Sequence, residues 1–98
     1  MHVIAKPTLA AFWLRHPTAR EPLLAWHRIM ERERFAGFAH LREVFPGADL
    51  VDGLTVFNIG GDKWRLIAAI HYNRGKVYIR RVLTHAEYDR EGWKRRPQ

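Results

Sequence analysis

The sequence predicts an α+β fold in which helices stack on one face of a mainly antiparallel sheet. Three observations predict it. Two segments in the first half carry apolar residues at helical spacing, and three segments in the second half are rich in β-branched and aromatic residues. The strand-like segments are separated by glycine-containing turns, and a short strand precedes the helices, an order that suits a layered α+β domain.

Along the chain, His2 to Ala5 reads as a strand that Pro7 ends, because proline has no N–H for a ladder. Thr8 is placed to cap a helix with Leu9, Phe12 and Trp13 on one face, closed by His16-Pro17. Thr18 and Glu21 have capping-box spacing for a second helix, which reaches about Arg34 with Ala19, Leu23, Trp26 and Met30 on its apolar stripe. Pro22 falls in or just after its first turn, where a missing donor costs least. Trp13 and Trp26 are assigned to packing. Phe38 to Phe45 predicts a short helix or structured loop ending at Pro46-Gly47.

Leu54 to Ile59, Trp64 to His71 and Lys76 to Thr84 predict strands, with hairpin turns at Gly60-Gly61-Asp62 and Asn73-Arg74-Gly75. Thr84 and Glu87 form a second capping-box pair, opening a helix through Tyr88 towards Trp93 and a basic tail, Lys94-Arg95-Arg96. No internal repeat or low-complexity segment occurs.

The 98 residues are one domain's worth, and 47% hydrophobic with 28% charged residues matches an ordinary globular chain with one modest core. No G-x-G-x-x-G or P-loop pattern is present, which excludes a dinucleotide-binding domain. Cysteine and serine are both absent, removing disulfides, thiolate sites and serine nucleophiles. The six histidines lack metal-ligand spacing, so neither metal nor cofactor is expected. No apolar run approaches the ~18 residues of a membrane span, and the amino terminus lacks a signal-peptide layout, so a cytoplasmic protein without membrane contact is the expectation.

Net charge is +7, and Lys63 to Arg96 holds ten basic residues against three acids. Such a field attracts polyanions, and these cations are interleaved with Trp64, Tyr72, Tyr78, Tyr88 and Trp93, as in RNA-binding surfaces. Period-two reading puts Leu66, Ala68 and Ile70 on one side of their strand and Arg65, Ile67, Ala69 and His71 on the other. In the next strand Val77, Ile79 and Leu83 form the apolar set, with Tyr78 and Arg80 opposite. If the apolar sets meet the helices, Arg65, Tyr78 and Arg80 converge on the uncovered face.

Metal-free RNA cleavage needs a base for the 2′-hydroxyl, cations for charge on the phosphate, and an acid for the leaving 5′-oxygen. Lys63, Arg65 and Arg80 are candidate phosphate cations, and His85 can move protons near neutral pH. Tyr88, at i+3 from His85, leaves the same side of the terminal helix and can stack on a base or donate its hydroxyl. Taken singly, each has a plainer reading as an exposed strand cation, a cap-adjacent imidazole or a packing ring. Lys63, Tyr78, Lys94 and Arg95 are the candidate RNA-binding residues.

The opening Met1-His2-Val3-Ile4, the segment Leu41 to Pro46, the hairpin Phe57 to Ile67 and the run Val77 to Asp89 together resemble the HigB toxins of type II toxin–antitoxin systems. The resemblance spans residues 1 to about 93. It implies a RelE-like fold and a metal-independent mRNA interferase acting typically on the translating ribosome. It also implies a HigA-type helix-turn-helix antitoxin, with operator DNA reached only through that partner. The family's catalytic positions fall on Arg65, Arg80, His85 and Tyr88, with Lys63 in support. Trp64 and Asp62 stand where tyrosine and asparagine are frequent in the family. Two other readings stay open: a toxin of the same fold that inhibits DNA gyrase, and a non-catalytic RNA-binding module.

Overall fold

A computed structural model describes residues 1–4 and 6–90. Strand β1 (His2–Ile4) leads into helix α1 (Lys6–Arg15), a 3-10 turn (Pro17–Ala19) and helix α2 (Arg20–Arg32). Helix α3 (Phe38–Val44) follows, then strands β2 (Asp49–Val51), β3 (Leu54–Ile59), β4 (Trp64–His71) and β5 (Lys76–Thr84), and helix α4 (His85–Asp89). The sheet order is β1-β5-β4-β3-β2, with β1 parallel to β5 and every other pair antiparallel. The α+β expectation holds. Ala5, Trp93 and the tail Lys94-Arg95-Arg96 lie outside the described residues.

The helices cover one face because their apolar stripes have nowhere else to go. Leu9, Phe12, Leu23, Trp26, Met30 and Leu41 pack on Phe57, Leu66, Ala68, Val77 and Ile79 in one continuous core. Phe57 is fully buried and meets Trp26 of α2 and Phe45 beyond α3 edge-on, with ring centroids 5.4 and 5.1 Å apart. Edge-to-face aromatic contacts of this kind add ~0.5–1.5 kcal/mol each to the area they bury.

Helix starts differ from the sequence expectation. Helix α1 begins at Lys6, so Thr8 sits inside its first turn and is not its cap. Thr18 does not cap α2 either: the chain enters through the 3-10 turn, and buried Ala19 takes the cap position with no side-chain hydrogen bond. Packing of Ala19 in the core outweighs the ~1 kcal/mol a threonine cap supplies. Pro22 lies in the first turn of α2, where its missing donor has no intrahelical acceptor to lose. The expected box on α4 is present in both directions: Glu87 N–H donates to Thr84 Oγ1 at 3.2 Å, and Thr84 N–H donates to Glu87 Oε1 at 2.9 Å.

Strand β2 is an addition to the expected sheet. Asp52 and Gly53 both have positive φ, 52° and 80°, the two-residue turn whose twist matches an antiparallel pair. It folds Val51 onto Leu54.

A second departure lies in β5. Ile67 pairs with Arg81 and Ala68 pairs with Ile79, leaving Arg80 as the extra residue of a β-bulge. Alternation restarts after it. Val82 therefore joins the helix-side core, while Leu83, expected there, turns to the opposite face with Leu54, Val56 and Ile67. That face is thus not purely polar but carries a small apolar cluster, against which Tyr88 and Ala69 pack.

Thr84→Ala should lower unfolding free energy by ~1 kcal/mol, read as a shift in urea midpoint at unchanged slope. Glu87 lies below the usual glutamate pKa of 4.5, mainly because it accepts the Thr84 backbone hydrogen bond. A depressed carboxylate stabilises the fold above the ordinary glutamate range and loses that contribution as pH falls through its folded value. The penalty of Glu87→Ala, which removes this carboxylate, should therefore shrink when the urea titration is repeated below that range.

Candidate functional site

Arg65 is the structural centre of the sheet face opposite the helices. Only 8% of the residue is exposed, an unusual state for a guanidinium, and its donors are met at close range. Nη2 donates to Asp62 Oδ1 at 2.8 Å, and Nη1 donates to the carbonyls of Asp62 and Trp64 at 3.1 and 3.3 Å. The Tyr88 ring lies 5.5 Å from its Cζ, within cation–π range.

The turn between β3 and β4 makes this possible. Gly60 and Gly61 take positive φ, 65° and 74°, and a Cβ on Gly60 would come within 2.7 Å of the Trp64 ring. Glycine there lets the turn close tightly, bringing Asp62 back over Arg65.

The α4 capping box sets the other wall. It fixes His85 as the first helical residue and Tyr88 one turn on. His85 is half exposed; its Nδ1 lies 2.8 Å from Asp89 Oδ2 and its Nε2 lies 4.0 Å from Asp62 Oδ2. One carboxylate, Asp62, is therefore shared between the buried guanidinium and the imidazole.

The remaining sequence candidates are placed around this cluster or away from it. Arg80 is exposed at the bulge, with Arg81 beside it, and neither guanidinium has an ion-pair partner among the described residues. Arg81 is opposite Ile67 and thus a diagonal neighbour of Arg65, which pairs with Leu83. Tyr78 pairs with Ala69, four residues along β4 from Arg65, or ~13 Å at strand spacing, and its ring meets His71 edge-on at 5.2 Å. Lys63 points elsewhere: its ammonium is 5.8 Å from the Trp64 ring, which packs with Phe12 in the helix-side core. Lys94 and Arg95 lie outside the described residues. No group of three potential metal-ligating side chains occurs among the described residues.

Asp62 and Asp89, in contact with Arg65 and His85, and Arg81, diagonal to Arg65, are the neighbours of this cluster that sequence reasoning did not single out. The i,i+3 spacing of Asp62 to Arg65 and the i,i+4 spacing of His85 to Asp89 were available as signals. The position of Arg81 beside Arg65 had none, because it depends on the bulge.

A family model described as HigB toxin, the RelE-like toxic component of a toxin–antitoxin system, matches residues 19–91. The chain belongs to the HigB toxin family. It is 34% identical over 92 residues to the mRNA interferase toxin HigB of Escherichia coli strain K12, covering 91% of this chain and 88% of that protein. It is 26% identical over 93 residues to the mRNA interferase HigB of Escherichia coli O6:H1, covering 92% and 90%. The five-stranded sheet backed by helices, with a short helix after the last strand, is consistent with the RelE-like fold of that family.

The shared carboxylate has a measurable consequence. Asp62→Ala should cost ~1–2 kcal/mol of stability, because it leaves a nearly buried cation without its anionic partner while two carbonyl acceptors remain. A chemical denaturation curve checks this, and an Asp62→Asn chain, which keeps an acceptor, should lose about half as much.

Proposed function

We propose that this HigB-family chain is an mRNA interferase, a metal-independent endoribonuclease that cuts messages on the translating ribosome. One observation carries the reading: Arg65 and His85 face a single exposed carboxylate oxygen pair, that of Asp62, at 2.8 and 4.0 Å. A carboxylate held between a guanidinium and an imidazole marks a place where the anionic oxygens of a phosphodiester can be met by the same donors. The relatives named as mRNA interferases support the same reaction class.

In the proposed reaction the message's phosphate displaces Asp62 and pairs with Arg65, while Arg80 supplies further positive charge. The 2′-oxygen attacks phosphorus, its proton leaves to a base, the bond from phosphorus to the 5′-oxygen breaks, and that oxygen takes a proton. His85 is the proton-moving group, and Tyr88 stacks on the neighbouring base or donates its hydroxyl. Charge building on the phosphoryl oxygens is met by a guanidinium already fixed in place, the condition under which such stabilisation is largest. Tyr78, Lys63, Lys94 and Arg95 are proposed to hold flanking RNA.

We also propose a cytoplasmic location, residues 1–98 acting as one domain, and a HigA-type helix-turn-helix antitoxin, with operator DNA reached only through that antitoxin. Among the described residues no helix is long and apolar enough to cross a membrane.

Arg65→Ala, His85→Ala and Tyr88→Phe are expected to reduce cleavage of a message on translating ribosomes. Loss of the Arg65 cation should cost ~2–4 kcal/mol of barrier, a drop of roughly 30-fold to 1,000-fold in rate. Primer extension on programmed ribosomes measures it. Growth arrest with intact messages and DNA damage would point instead to gyrase inhibition, and RNA binding without cleavage to a binding module.

A further inference from the structure

We propose that Asp89 is a positioning residue that fixes the imidazole of His85, so that Nε2 is the nitrogen presented to RNA. The proposal rests on the nuclease reading above and adds a residue to its machinery.

Asp89 Oδ2 lies 2.8 Å from Nδ1, whereas Nε2 lies 4.0 Å from the nearest carboxylate oxygen, on Asp62. A carboxylate at 2.8 Å favours Nδ1 over Nε2 as the proton-bearing nitrogen of a neutral ring, which leaves Nε2 to face RNA. The contact is local to α4. His85 and Asp89 are its first and last residues, one helical turn apart, and the Thr84–Glu87 box sets where that turn begins. The imidazole stays half exposed, with Nε2 on the side of Asp62, the carboxylate that Arg65 holds.

The chemistry follows from this orientation. When Nε2 accepts the 2′-hydroxyl proton, the bond from the 2′-oxygen to phosphorus forms as the phosphorus–5′-oxygen bond breaks and that oxygen takes a proton from water. The imidazolium gains its countercharge from Asp89 without any rearrangement. Asp62 cannot fill this role, since it faces Nε2 and must give way to the phosphate.

The charged groups at His85 are Asp89 on its own helix and Asp62 on the β3–β4 turn, which also holds Arg65 of β4; Glu87 of the same helix has Arg15 of α1 and Arg90 after α4 as its own charged neighbours. Removing Asp89 alone therefore separates orientation from the phosphate site.

The test has two arms on the full chain. In the first, long-range nitrogen–proton correlation spectra report the His85 tautomer without RNA. The neutral ring is expected as Nδ1–H in the parent, as a mixture of tautomers in Asp89→Ala, and as Nδ1–H again in Asp89→Asn, whose amide oxygen still accepts.

In the second arm, cleavage on programmed ribosomes should show kcat down ~10-fold to 100-fold for Asp89→Ala with KM unchanged, and partial recovery for Asp89→Asn. An Nε2–H tautomer in the parent, or an Asp89→Ala chain with parental kcat, overturns the proposal. His85→Ala at parental rate sinks the nuclease role of His85 itself, while the spectra still decide whether Asp89 holds the ring.

Discussion

A guanidinium almost removed from water is the constraint on which this site depends. Burying an unpaired charge costs several kcal/mol, more than most single contacts return, so Arg65 is tolerable only with its donors met. Each element that meets them is thereby placed. The Gly60-Gly61 turn curls so that Asp62 reaches back across two residues, and the carbonyls of Asp62 and Trp64 take the second nitrogen. The Tyr88 ring closes the remaining side, which requires α4 to start where the capping box starts it. Satisfying one cation thus draws a turn, a strand and a helix to one point.

The bulge in β5 is the second determinant, and it acts through alternation. A regular strand through Lys76 to Thr84 would send Val82 to the open face and Leu83 to the core. The inserted Arg80 reverses this beyond residue 80, so the open face receives Arg81 and Leu83 together. Leu83 then builds the small apolar floor under Tyr88, and the two adjacent arginines stand at its border. Bulges commonly re-aim side chains near functional sites, and here one extra residue supplies both floor and charge.

Much of the fold was legible, and the misses share a cause. Apolar stripes with Leu23, Trp26 and Met30, and the β-branched runs, are signals repeated over many residues, and burial enforces them. Thr8 and Thr18 were single-residue signals, and core packing of neighbours moved the helix starts. Strand β2 was missed although Asp52-Gly53 between Val51 and Leu54 is the dipeptide such turns favour; three residues are too short for alternation to register. Leu83 and Arg81 were beyond sequence reading, because period two presumes an unbroken ladder. Within the site, residue types that bind phosphate were easy to name, but their partners were not. Asp62 and Asp89 read equally well as turn and helix acids until geometry joined them to Arg65 and His85.

That pairing also bears on how an anionic substrate would be received. The Asp62 side chain is 79% exposed while that of Arg65 is 10% exposed, so the pair is lopsided: one partner is nearly dry, the other stands in water. Asp62 holds its place for only ~1–2 kcal/mol, since its own side chain stays in water and two carbonyls also serve the guanidinium. Replacing it with a phosphate keeps the guanidinium paired throughout and asks for no second desolvation, since folding has already removed that cation from solvent. The charge that would stabilise a reacting phosphate is therefore present before RNA arrives, and under the proposed function exchange of one anion for another, not creation of a new ion pair, would be the binding step at Arg65.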